Sequence, residues 1–157
     1  MPSPDAVRQQ ILEVLASNQI AAQVDADGTI TVPAPGEDTS TEVSIFISGE
    51  AEGLILVTFD APILIGIAGD EGTRIKALEL VNRLNIDSVF GRYTLETFES
   101  MNLIVMSHVM IGSDLQEAEI MQTLILVGAP ADEADDLAKQ ELGSGETLRE
   151  IAGSDEP

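Results

Sequence analysis

Apolar residues at Val7, Ile11, Val14 and Leu15 recur at helical spacing, which predicts an amphipathic helix over residues 4–18. Ser3 followed by Pro4 supplies its start, a side-chain oxygen to cap free N–H groups and a proline where no N–H is needed. The period then changes. Short apolar runs at 20–24 and 29–32 flank Asp25-Ala26-Asp27-Gly28, a hairpin signal because glycine tolerates positive φ. Residues 33–40 read as a Pro-containing polar loop. Val43, Ile45 and Ile47 alternate with polar residues and predict a strand over 42–48, followed by a turn at 48–53 and a more apolar strand at 54–59. Beyond Pro62, residues 63–68 are almost continuously apolar, and the pattern leaves strand and buried loop open.

Helical spacing returns at Ala77, Leu78, Val81 and Leu84, predicting a helix over 73–86 whose dipole is met by Asp70 and Glu71. Residues 89–97 and 102–111 read as two strands joined by a turn at Glu99-Ser100. Ser113 or Asp114 is placed to cap a third helix in which Leu115, Ala118, Met121 or Gln122, and Ile125 keep helical spacing. Pro130 marks the start of a separate acidic helix ending at Leu142. The predicted class is α+β, an antiparallel sheet with helices in the order α-β(3-4)-α-β-β-α. Residues 1–142 form one domain in this reading, and 143–157 a flexible acidic tail.

The strand at 103–111 departs from the simple pattern. Leu103, Val105, Val109 and Ile111 share one face, and Ile104, Met106, His108 and Met110 the other, whereas a half-solvated strand alternates with polar residues. Ile120, Leu124 and Val127 similarly add apolar positions beside the main stripe of the third helix. Two explanations stand: helices cover both sides of a central strand, or one face meets another protein, for which a second copy of the chain is the natural partner. Ile104, Met106, His108, Met110, Ile120 and Leu124 are the candidate partner or dimer interface.

Composition narrows the function. The chain has 157 residues, 44% hydrophobic, enough for one domain with a core and incompatible with disorder throughout. Against 28 Asp and Glu stand 7 Lys and Arg, a formal charge of −21 that repels nucleic-acid backbones and anionic membranes. The acids are spread along the chain, so the charge belongs to the general surface and surrounds an apolar centre. The start, Met1-Pro2-Ser3-Pro4-Asp5, lacks the basic and apolar regions of a signal peptide, and the longest uncharged stretch, 100–113, falls short of the roughly 20 residues of a spanning helix. The expected location is cytoplasmic. With no cysteine, thiol catalysis and disulfides are excluded.

Candidate chemistry is sparse. Asp25-Ala26-Asp27-Gly28 lacks the later ligands of a calcium loop, with Ala at position 34 where the bidentate Glu belongs. Gly66-Ile67-Ala68-Gly69-Asp70-Glu71-Gly72 lacks the spacing and the Lys of a phosphate loop, and its acids oppose an anion. Met106, His108 and Met110 are ligand types suited to a soft metal, but packed methionines and a lone packed histidine account for them better, and the absence of cysteine weakens the metal reading further. Ser107 and His108 are adjacent on a strand, so they point to opposite faces and cannot act as nucleophile and base. No catalytic, cofactor or metal residue is assigned.

The helix end Leu80-Val81-Asn82-Arg83-Leu84-Asn85, the strand pair at 91–98 and 103–108, and the helix at 116–127 resemble the YbjN-like family, as does the acidic hairpin Val24–Gly28. The resemblance extends over about residues 5–142 and implies the fold of type III secretion chaperones, usually homodimeric, with no enzymatic activity and a regulatory role in sensory transduction. Asn82, Arg83 and Asn85 are also what a helix C-terminus needs to satisfy its carbonyls and dipole. Arg83 with Arg92 is the candidate anion point. The reading that follows is a non-enzymatic interaction module that binds a partner polypeptide as a homodimer; the alternative is a small-molecule or ion sensor with its pocket between helix 73–86 and the sheet.

Overall fold

A computed structural model describes residues 2–34, 41–49 and 53–154. Helix α1 (Pro4–Ser17) begins as expected, with Ser3 Oγ accepting the Ala6 N–H, and buries Val7, Ile11 and Leu15. Strands β1 (Gln23–Val24) and β2 (Ile30–Pro33) form the predicted hairpin. Its turn is closed by Gly28 N–H to Asp25 C=O and by the Asp27 carboxylate accepting from Thr29 N–H. Most of the loop expected at 33–40 and of the turn expected at 48–53 lies outside the described residues, although Pro33 ends β2 and Gly49 ends β3.

Strand β3 (Glu42–Gly49) pairs with β4 (Ile55–Ile67), which resolves the ambiguity at 63–68 in favour of strand. Pro62 sits inside β4, a position normally hostile to proline. It is tolerated because β3 pairing ends at Asp60 and the register to the other neighbour shifts between Pro62 and Leu64. A second shift lies at Ile65/Ile67, around Gly66 at φ +74°.

Helix α2 (Glu71–Asp87) is capped by Asp70, and β5 (Arg92–Phe98) and β6 (Met101–Ile111) form a hairpin whose turn residues, Glu99 and Ser100, both have positive φ. The six strands make one antiparallel sheet in the order β1-β2-β3-β4-β6-β5. Helix α3 (Glu117–Leu142) is a single 26-residue helix containing Pro130, not two helices, and it starts after Gln116 rather than at Ser113 or Asp114. After Gly143 closes α3 in the left-handed conformation, the segment expected to be a flexible tail returns to the sheet. Ile65 and Glu146 exchange backbone hydrogen bonds, and α4 (Leu148–Ser154) follows. The last three residues, 155–157, are outside the description.

All the long helices lie on one side of the sheet. Val43, Ile45, Val57, Phe59, Ile104 and Met106 face inward and join Val7, Ile11, Leu80, Ile120, Leu124 and Val127 in one core. The buried faces of two helices differ from the sequence reading. Leu78 and Ile125, expected inside, are 48% exposed, while Leu80, Ile120 and Leu124 are buried. The approach of α3 to the neighbouring backbone is close at Gly128, where an added Cβ would meet Ala34 Cβ at 2.7 Å.

Candidate functional site

The sheet order makes β5 an edge strand, and an open edge carries unpaired N–H and C=O groups. Asn85, near the end of α2, meets that edge at one residue: its Oδ1 accepts the Tyr93 N–H at 2.7 Å and its Nδ2 donates to the Tyr93 carbonyl at 2.9 Å. This double bond of an amide to a backbone holds α2 beside the sheet, extending the helical layer past β5. Ala77 and Leu80 bury the inner side of α2. The sequence reading gave Asn85 to the carbonyls at the helix end; its partner is instead a residue eight positions later.

Between α2, the following turn and α3 lies a groove of about 570 Å³, lined by apolar side chains from both helices and the turn. Leu80 and Leu84 form one wall and Leu126, Pro130 and Leu137 the other. Val89, Phe90 and Tyr93 close the end. Ser88 Oγ donates to the Phe90 carbonyl, and the Phe90 ring stacks on His108 with centroids 3.9 Å apart and an interplanar angle of 22°. At the rim, Arg83 is ion-paired with Glu141 and Asp87 stands close by. Burial raises the Tyr93 phenol above its ordinary value, and the nearby Glu133 carboxylate adds to the effect.

The other side of the sheet has no helix of the described residues packed on it. Strand register places Phe46, Leu56, Phe98, Met101, Val109 and Ile111 on this outer face. Val105 and Ser107 are buried in its middle, whereas Phe46, Phe98, Met101, Val109 and Ile111 are each more than two-fifths exposed. Asp60 lies here too, opposite Ser107. Desolvation raises the Asp60 pKa, an effect opposed by the Ser107 hydrogen bond, increased by Glu96 and opposed again by Arg92. One of its oxygens, Oδ1, is buried without a hydrogen-bond partner among the described residues.

These positions correct the interface expected from sequence. Ile104, Met106, Ile120 and Leu124 are at most 1% exposed and form the chain's own core, because the face they share is the one the helices cover. Met110 and His108 lie on that same inner side, half-buried: Thr123 Oγ1 donates to Met110 Sδ at 3.2 Å, and burial against Phe90 lowers the His108 pKa. Met106, His108 and Met110 do share a face, as predicted, but each has a packing role there. Arg83 and Arg92 do not form a common anion point, since Arg83 pairs with Glu141 at the groove and Arg92 stands opposite Ser107 on the outer face. Among the described residues no group of three or more His, Cys, Asp or Glu is placed to hold a metal ion, and no helix is long and apolar enough to cross a membrane.

The sequence reading placed a pocket between helix 73–86 and the sheet; the groove uses that helix and Tyr93 of the sheet, but its opposite wall, Leu126, Pro130 and Leu137, comes from α3, more than 30 positions away, and no period in the sequence links the two. A family model described as YbjN, "putative bacterial sensory transduction regulator", matches residues 8–138. The crystal structure of YbjN from E. coli, titled a putative transcription regulator, superposes with a TM-score of 0.56 at 12% identity, covering 87% of this chain and 93% of that one. That likeness is one of fold. None of the curated proteins matches the chain.

Proposed function

The chain belongs to the YbjN family, and from that premise we propose that it is a regulatory protein without catalytic chemistry, acting by protein–protein contact as a homodimer joined through the outer face of its sheet. The observation that carries this reading is the exposed apolar side chains on that face, Phe46, Val109 and Ile111 toward one end of β6 and Phe98 and Met101 at the other. A patch of this kind on a soluble protein marks a contact surface. A second copy suits it on charge. The strand residues directed outward include Glu42, Asp60 and Glu96 against Arg92, a small imbalance on a chain of −21, so two molecules meet there with little local repulsion.

Light scattering across a micromolar concentration series tests the reading: a mass of twice 16.6 kDa is expected. Val109→Glu with Ile111→Glu should give a folded monomer, because both side chains are exposed in the single chain. Met106→Glu is the contrasting variant. That residue is 1% exposed, so an unpaired buried charge should unfold the chain rather than dissociate it. A parent protein that stays monomeric throughout the series defeats the dimer.

A further inference from the structure

The groove between α2 and α3 lies on the helical side of the molecule, apart from the sheet face assigned to self-association. Three features define its occupant. Apolar side chains stand at its rim as well as its floor: Val89 is fully exposed, Leu137 is 42% exposed, and the adjacent Ile86 is 73% exposed. Such an open apolar channel between helices fits the ridge of an amphipathic helix. Its charge is acidic. Asp87 and Glu141 line it, Glu133 is near enough to act on Tyr93, and the cation lining it, Arg83, is already paired with Glu141. Finally, Pro130 has no N–H, so the Leu126 carbonyl one turn earlier loses its usual helical donor, and both residues belong to the groove wall.

We propose that this groove docks a basic amphipathic helix of another protein, its apolar stripe on Leu84, Val89, Phe90 and Leu137 and its Lys or Arg residues toward Asp87 and Glu133. The apolar contacts supply most of the affinity, and the carboxylates set the orientation and exclude acidic segments. Binding needs no second copy of the chain, so the dimer and the groove stand or fall separately.

The probe is a labelled synthetic helix of about four turns with Leu at i, i+3, i+4 and i+7 and Lys elsewhere, measured by fluorescence anisotropy. It is compared with a scrambled peptide of the same composition and with a version carrying Glu in place of Lys. The amphipathic Lys peptide should bind, and the other two should bind at least about tenfold more weakly. Val89→Asn with Leu137→Gln should weaken binding by a similar factor, and so should Asp87→Lys; circular dichroism of each should match the parent, since Val89, Asp87 and Leu137 are exposed. Val109→Glu with Ile111→Glu should leave peptide binding intact. Equal binding of the scrambled peptide would mean that the overall charge alone attracts it, and the proposal fails. It fails too if the groove variants bind as the parent does, or if dodecylamine binds in a manner sensitive to those variants while the peptide does not.

Discussion

Tyr93 presents its N–H and its C=O at the open edge of β5, and the Asn85 amide meets both. Asn85→Ala leaves those two backbone groups to solvent and removes the tie between α2 and the sheet. A half-buried pair of this kind should cost about 1–3 kcal/mol, read as a lower midpoint in urea unfolding. Nothing in the sequence pattern announces this clamp, because it depends on where α2 stops relative to an edge strand and not on any period. The Ser3 cap and the Asp25–Gly28 turn were legible for the opposite reason: each is closed by groups within four positions of one another. Asp60 offers a second test, in pH. Burial lifts its folded pKa above the ordinary 3.8, so between those two values the folded chain binds more protons than the unfolded one. Stability therefore falls as pH rises through that window, and the loss persists at neutral pH. Asp60→Asn should raise the melting temperature at pH 7 relative to the parent, with the difference vanishing below pH 3.8. A gain that survives acidification would point to packing instead of ionisation.

Prolines explain where the elements were misread. Pro62 and Pro130 both look like boundaries, and both lie inside an element. In β4 the disruption is absorbed by a register shift at a point where β3 has left. In α3 the flanking buried residues Val127, Gly128, Ala131 and Ala134 hold the helix to the core on both sides of the proline. Tertiary burial there outweighs a local preference worth about 3 kcal/mol. The same competition shifted the buried stripes of α2 and α3. With apolar residues on more than one side of each helix, periodicity shows that a helix exists but leaves open which side the sheet will take. Leu80, Ile120 and Leu124 won over Leu78 and Ile125 because they face the strands once β4, β6 and β5 are assembled. Pro130→Ala should restore the donor for the Leu126 carbonyl and relieve the ring, raising the free energy of unfolding by up to about 3 kcal/mol. Thermal and urea unfolding read this directly, and an unchanged or lower stability would show that the contacts of the Pro130 ring offset the missing hydrogen bond.

Over the whole molecule the acidity and the one-sided layering act against each other. Two layers leave a sheet face exposed, and its apolar side chains favour association; a charge of −21 on each 157-residue copy opposes it. Salt separates the two forces. The screening length is about 30 Å at 0.01 M ionic strength, comparable with the dimensions of the domain, and about 10 Å at 0.1 M. At low salt each copy feels most of the other's charge, and at moderate salt only what lies near the contact. An interface built on Phe46, Val109 and Ile111, with few charges of its own, should therefore tighten as salt rises, and the dimer dissociation constant measured by sedimentation equilibrium should fall steadily between those two concentrations. An interface built on ion pairs between copies would respond in the opposite sense, since screening weakens the pairs that hold it. A dissociation constant that rises with salt would move the contact away from the apolar sheet face, whatever the mass measured by light scattering.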